Sequence, residues 1–239
     1  MRTDVQDKLL ELNGRFYNEF GQAFSSTRQR LQPGVIKVAS RLTGQESLLD
    51  LGCGNGQLAR WLVGRGHRGS YLGLDSSPSL LAETGLLSKN MPVRFTQADL
   101  ASPDWDASLP RNSFQRVFAF AVLHHLPGEI LRILLLSKVK TLLAAGGQFI
   151  HSNWQFLDSP RLKNHILSWQ SLGFNPGDLD DGDYLLDWRQ GGQGLRYVHH
   201  FNPVELASLA QESGFSVSET FLSDGEGGRL GLYQVWEVK

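Results

Sequence analysis

The stretch Leu48-Leu49-Asp50-Leu51-Gly52-Cys53-Gly54-Asn55-Gly56-Gln57 constrains this chain more than any other. It starts as a short apolar run ending in an acid. Glycines at alternate positions follow, and Leu58-Ala59-Arg60-Trp61-Leu62 then reads as a helix. Strand, glycine turn and helix together bring backbone close to a nucleotide-like ligand. The G-x-G-x-G spacing is neither the dinucleotide G-x-G-x-x-G fingerprint nor a P-loop, and no Lys-Ser/Thr pair follows. Asp50 sits at the strand's carboxyl end, where open α/β sheets bind ligands. A carboxylate there disfavours a pyrophosphate and suits a cation or an amine.

Two more acids repeat the pattern. Gly69 to Asp75 reads as a second strand, and Ser76-Ser77-Pro78 opens the next helix. Asp75 lies about twenty residues past the glycines, the distance at which an acid grips both hydroxyls of a ribose. The plainer role for Asp75 is a helix cap. Pro92 to Leu100 is a third strand, with Asp99 just past its end to accept from an adenine amine. Phe114 to Val122 is almost wholly apolar, as a buried central parallel strand should be. A helix from Ile130 to Leu143 stops at Gly146-Gly147, and Gln148 to Trp154 is the fifth strand. This alternation predicts a doubly wound parallel sheet with helices on both faces.

The ends of the chain read differently. Val5, Leu9, Leu12, Phe16 and Phe20 recur at helical spacing, with a turn expected at Gly21. Pro33-Gly34 opens a second helix, ended by Gly44. Both helices are placed to cap the sheet's carboxyl edge. Residues 156–193 read as irregular, with an acidic cluster at Asp178, Asp180, Asp181, Asp183 and Asp187. That length suggests an insertion over the site. Pro203 to Ser213 reads as a helix. Phe215 to Leu222 and Leu230 to Val238 alternate as an antiparallel hairpin at the sheet edge. The expected organisation is a single domain, 1–239. It comprises a helical cap over 1–45, a donor-binding half over 46–155, an insertion over 156–200, and a helix and hairpin over 201–239.

At 239 residues and 41% apolar, the chain can bury one sizeable core. A net charge of −1 gives no global pull toward nucleic acid. The single cysteine, Cys53, excludes an internal disulfide and fits a reducing compartment. No apolar run reaches the roughly 18 residues of a membrane span, and the N-terminus lacks a leader's apolar core. The expectation is a cytoplasmic protein with no membrane partner. No His/Cys/Asp cluster has metal-ligand spacing, so no metal is expected.

The glycine turn with Asp50, then Asp75, Asp99 and the closing hairpin, resemble the class I S-adenosylmethionine-dependent methyltransferases over residues 46–239. The resemblance implies a Rossmann-like seven-stranded sheet, mostly parallel with a C-terminal antiparallel hairpin. It implies S-adenosyl-L-methionine as cofactor and S-adenosyl-L-homocysteine as product. Asp50 would face the cationic methionine end, and Gly52, Gly54 and Gly56 would let backbone approach. Asp75 with Ser76 would hold the ribose, and Asp99 with the Leu100 amide would read the adenine. Ala119, Phe120 and Ala121 would offer backbone near the methionine carboxyl group.

Four short motifs resemble a narrower group, the tRNA wobble-uridine carboxymethyl methyltransferases, including the domain fused to an AlkB-like dioxygenase. They are Phe24-Ser25-Ser26-Thr27-Arg28, Ala121-Val122-Leu123-His124-His125, Trp154, and Arg196-Tyr197-Val198-His199-His200-Phe201. Val198 departs from that group, which has a second aromatic there. This resemblance implies tRNA as substrate and a small zinc-binding activator as the partner some relatives use. The acceptor would be a carboxylate, already ionised at neutral pH, so the site needs orientation and dryness more than a base. Arg28 and Arg196 would clamp the carboxylate or a phosphate. Tyr197 and Trp154 would stack on a base. His124, His125 and His199 are candidates to hydrogen-bond the acceptor. His124 is the stronger of the adjacent pair, since His125 is as readily a packing residue. A phenol or amine acceptor would instead make one of these histidines a base. The alternatives are a small-molecule O- or N-methyltransferase and a non-catalytic donor-binding subunit.

Overall fold

The computed structural model describes residues 1–26, 30–85, 91–225 and 227–239. The long helix α1 (Thr3–Ser26) and short α2 (Pro33–Ala39) precede β1 (Leu48–Leu51). Then follow α3 (Gln57–Gly64), β2 (Tyr71–Asp75), α4 (Pro78–Ala82), β3 (Val93–Gln97), β4 (Phe114–Phe120), α5 (Glu129–Leu142) and β5 (Leu143–Trp154). After α6 (Pro160–Lys163) come β6 (Ile166–Leu167), β7 (Asp183–Trp188) and β8 (Gly194–His199). Helix α7 (Pro203–Glu212) leads into β9 (Phe215–Ser223) and β10 (Gly231–Val238).

The main sheet has seven strands in the order β3-β2-β1-β4-β5-β10-β9. The first five are mutually parallel, while β10 runs antiparallel to both β5 and β9. The chain leaves β1 toward β2 and β3, then returns to the other side of β1 for β4 and β5. The sheet's switch point therefore lies between β1 and β4, where a crevice opens at the carboxyl ends.

Alternation along the strands builds two cores. Leu49, Leu51, Val117, Ala119 and Phe149 face α5 and α7. Leu48, Tyr71, Phe118, Ile150 and Val235 face α2 and α3. Both sides of β1 are buried, as expected of a central parallel strand.

Three expectations differ from the structure. Helix α1 runs through Gly21 instead of turning there. A Cβ at Gly21 would stand 3.3 Å from Ser79 Oγ, so the missing side chain serves the close approach of α1 to α4. Strand β5 starts at Leu143, five residues before the expected Gln148. Gly146, at φ +71°, lies in an irregularity where the β4 partners jump from Leu143 to Gln148. The glycine pair therefore bulges the strand instead of ending the helix. Third, the 156–200 stretch is ordered around a three-stranded antiparallel sheet, β6-β7-β8. The stripe Val5, Leu9 and Leu12 of α1 packs on Leu185 and Tyr197 of this small sheet and on Trp169. Among the described residues, no helix is long and apolar enough to cross a membrane.

Candidate functional site

A cavity of about 380 Å³ opens at the switch point. Its walls come from the β1–α3 turn, the ends of β2, β3 and β4, and the inner faces of α1 and α2. The residues between β1 and α3 give it a floor of bare backbone. Gly52, Gly54 and Gly56 all have φ between +55° and +76°, which L side chains rarely adopt. A Cβ on Gly52 would come within 2.5 Å of Val122 Cγ2, whereas one on Gly54 would meet nothing within 4 Å and would fill the cavity instead. Gly54 therefore leaves bare backbone facing the cavity. Ala121, another lining residue, is held at φ +59° by bonds from its N–H to the carbonyl and hydroxyl oxygens of Ser152. Backbone strain of this kind concentrates at functional sites.

Three carboxylates from successive strand ends meet at this cavity: Asp50, Asp75 and Asp99. Asp50 is buried and accepts a hydrogen bond from the Tyr71 hydroxyl. Burial pushes its pKa up to about 7; the Tyr71 bond opposes this and the nearby Asp75 charge adds to it. Asp75 accepts from the N–H of Gly54 at 2.8 Å and of Ser77 at 2.9 Å. Burial raises its pKa and those two N–H bonds lower it, with burial prevailing. Each carboxylate oxygen keeps a lone pair for a further donor, such as a ribose hydroxyl. Asp99 is exposed and tied to the Ala101 N–H at 3.0 Å. Among the described residues, none of the three has a salt bridge to a lysine or arginine.

Of the residues expected to hold the donor, all but two line this cavity: Asp50, Gly52, Gly54, Asp75, Ser76, Asp99, Leu100, Phe120 and Ala121. Gly56 stands behind the turn at the start of α3, where a Cβ would press Phe95 Cζ at 2.8 Å. Ala119 is fully buried one residue short of the lining.

The residues expected at the acceptor are placed elsewhere. Tyr197 is buried, and its hydroxyl donates to Asp183 at 2.7 Å and accepts from Arg132 at 2.9 Å. His199 is buried between Asp183 on Nδ1 and Glu205 on Nε2, both at 2.6 Å. With a carboxylate at each nitrogen, the ring holds two protons. Burial works against that charge, yet the two carboxylate bonds raise the His199 pKa above its ordinary value. These two side chains belong to a closed polar network, not to the cavity wall. His124 is also buried; its Nδ1 accepts from the Trp154 N–H and its ring stacks on Trp154. Arg196 is buried among rings, 4.6 Å from Trp154, 5.3 Å from Phe16 and 5.5 Å from Trp188. None of these five, Trp154 included, lines the cavity. Arg28 lies outside the described residues.

Helix α1 and His125 also line the cavity. Leu10, Asn13, Gly14 and Tyr17 recur at helical spacing beside the apolar stripe, and all four line the cavity. That second stripe was readable at the same spacing, but its mixed polarity hid it. His125 lines the cavity where His124 does not, although the two rings meet edge to face with centroids 4.3 Å apart. The acidic cluster is largely neutralised. Asp178 pairs with Arg2, Asp180 with the N-terminal amine, and Asp187 with Arg189 and His165. Basic residues of the N-terminal region are also paired, Arg2 with Asp4, Arg15 with Glu11 and Arg41 with Glu219. Among the described residues, Arg30 is the lysine or arginine that lines the cavity.

The sheet order, the glycine cradle and the acid-lined crevice define a class I methyltransferase fold, the fold of enzymes that use S-adenosylmethionine. Comparison with known proteins agrees. The model of a methyltransferase domain matches residues 49–149. An uncharacterized methyltransferase of Schizosaccharomyces pombe is 33% identical over 189 residues, covering 74% of this chain and 70% of that protein. A trans-aconitate 2-methyltransferase of Methylobacterium nodulans is 38% identical over 121 residues, half of this chain but only 43% of that enzyme. A solved S-adenosylmethionine-dependent methyltransferase of Methanosarcina mazei superposes with a TM-score of 0.65 at 20% identity, over 87% of this chain and 98% of that one. The chain belongs to the methyltransferase family and is an enzyme.

Proposed function

We propose that this enzyme methylates a carboxylate with S-adenosylmethionine as donor, the acceptor being the carboxymethyl group of a wobble uridine in tRNA. The observation that carries the donor half of this reading is the meeting of Asp50, Asp75 and Asp99 around the bare Gly54 cradle. Bound there, the sulfonium donor supplies an activated methyl group. Asp75 is disposed to accept from both ribose hydroxyls, and the Gly52–Gly54 backbone leaves room for the amino-acid end. Asp50, buried and without a cationic partner among the described residues, offers its charge to a positive ligand. Asp99 and the Leu100 amide are positioned to read an adenine edge. Helices α1 and α2, which line the cavity, would limit the access of water to the transfer.

A carboxylate acceptor needs to be aligned more than deprotonated. For the nucleoside, support comes from the four short motifs that resemble those of the wobble-uridine enzymes, with a small activator subunit as partner and the cytoplasm as compartment. A second reading, a free polycarboxylate as acceptor, is favoured by the roofed cavity and by the similarity to trans-aconitate methyltransferase.

The test is methyl transfer from labelled donor to bulk tRNA of cells lacking the enzyme, beside a panel of small polycarboxylates. Base-labile label in tRNA supports the first reading, since esters hydrolyse in base. Label only in the small acids supports the second, and label in neither contradicts both.

A further inference from the structure

The amino end of α2 is held by residues far from it in the chain. Its N-cap, Gln32, makes no side-chain capping bond. The Gly34 N–H donates instead to Asp224 Oδ1 at 2.8 Å, on the residue that follows β9. The other carboxylate oxygen, Oδ2, accepts from the Tyr233 hydroxyl of β10 at 2.5 Å. One carboxylate thus joins α2 to the hairpin, and its charge suits the positive end of a helix. Gly34 completes the joint. A Cβ there would collide with the Tyr233 ring, so the missing side chain lets α2 lie directly on it. The same ring stacks on Phe221 at 5.0 Å and reaches Phe120 at 6.1 Å.

Asp224 is held at φ +69°, a left-handed backbone that glycine adopts more readily. The chain keeps a carboxylate there against that preference, a form of strain that concentrates at functional positions. Asp224 and Tyr233 are buried, and neither lines the cavity. What they hold does line it: Leu31, Gln32 and Val35 at the start of α2, and Phe120 at the end of β4. A helix of seven residues does not hold its place alone, so its seat depends on such ties. We propose that Asp224 is a positioning residue for donor binding, which with Tyr233 seats α2 against the donor cavity. This rests on reading that cavity as the donor site. With the tie cut, α2 is seated for only a fraction of the time, and the apparent affinity falls in proportion to that fraction.

The experiment measures S-adenosylhomocysteine affinity by calorimetry for wild type, Asp224→Ala, Tyr233→Phe and Asp183→Ala. It also follows hydrogen exchange at the Gly34 and Val35 amides by NMR. Asp183→Ala is the control, since it acts in the small sheet. Asp224→Ala should raise Kd by roughly ten- to a hundredfold, the scale of one hydrogen bond to a charged group. Its Gly34 amide should exchange faster than in wild type, and saturating ligand should restore protection. Tyr233→Phe leaves the Gly34 bond in place and should raise Kd by only about two- to fivefold. Asp183→Ala should bind within about twofold of wild type. A folded Asp224→Ala with wild-type Kd overturns the proposal, as does unchanged exchange at Gly34. So does an affinity loss in Asp183→Ala as large as that in Asp224→Ala, which would tie affinity to overall stability. Where Asp224→Ala does not fold, Tyr233→Phe carries the test, and a wild-type Kd with wild-type exchange there overturns the proposal. A wild type that binds no S-adenosylhomocysteine overturns the donor reading, and the proposal with it.

Discussion

Asp75 in the donor half and Asp183 in the small sheet are both buried carboxylates held by several donors, yet their surroundings differ in kind. Asp75 is held by two backbone N–H groups, faces a cavity, and has no salt bridge among the described residues. Asp183 receives the Tyr197 hydroxyl and the His199 ring, with Arg132 at 3.9 Å. The carboxylate of the first region keeps lone pairs open to the cavity. In the second the chain supplies a counter-charge of its own. The pattern separates ligand-binding from structural carboxylates: a buried acid with cations already around it cements two elements, here β7 and β8 to α5 and α7. A buried acid facing open space without one is built for a ligand.

The contrast can be broken experimentally, and the largest effect is expected in the small sheet. Asp183→Ala leaves the buried His199 and Arg132 charges with Glu205 alone, which costs about 3–5 kcal/mol. Chemical denaturation should show that loss, while the protein still folded binds S-adenosylhomocysteine as before. Lost binding with unchanged stability would reverse the roles of the two regions. Gly52→Ala should come next, because it combines strain at φ +69° with a clash at Val122 Cγ2. The expected loss is about 1–3 kcal/mol of stability, read by the same denaturation, together with weakened donor binding.

The pH dependence of stability sharpens the comparison further. The Asp50 pKa is raised in the folded state to about 7, so its contribution is fully present below its unfolded value and fades as pH rises through about 7. His199 is raised as well, so its contribution is present below the ordinary histidine value and fades as pH climbs through the folded one. A cationic ligand beside Asp50 lowers its pKa and should remove the first loss while leaving the second. Thermal unfolding across pH 4 to 9, with and without the donor, reads both; identical curves would contradict the placement of Asp50. The smallest effect is expected at Ala121→Gly, which relieves a left-handed conformation. It should stabilise the chain by at most ~1 kcal/mol, a Tm rise of about 2–4 °C in a scan.

The donor half was legible because its signals are local. Alternating glycines, an acid at each strand end and apolar runs of strand length all act within a few residues of one another. Asp50, Asp75 and Asp99 could be placed from that alone, and their convergence follows from the switch point. The acceptor side depends on contacts across the chain. Nothing local to Tyr197 or His199 announces that Asp183, Arg132 and Glu205 satisfy them. Nor does the His124-His125 pair reveal which of the two lines the cavity. Tyr17 and Asn13 were hidden by their helix, whose stronger apolar stripe packs on the small sheet. The order in 156–200 was missed because its strands are short and broken by Gly173, Gly177, Gly182, Gly191 and Gly192.

The most direct measurement is a calorimetric titration of wild type, Asp75→Ala and His199→Gln with S-adenosylhomocysteine. Wild type should bind one equivalent. Asp75→Ala, which loses two hydrogen bonds to a charged acceptor, should bind weaker by about 2–4 kcal/mol, roughly 30- to 1000-fold. His199→Gln should bind within about twofold of wild type while unfolding more easily. Unchanged affinity in Asp75→Ala, or a loss in folded His199→Gln as large as the one expected there, would contradict the assignment of the donor to the carboxylates of the cavity.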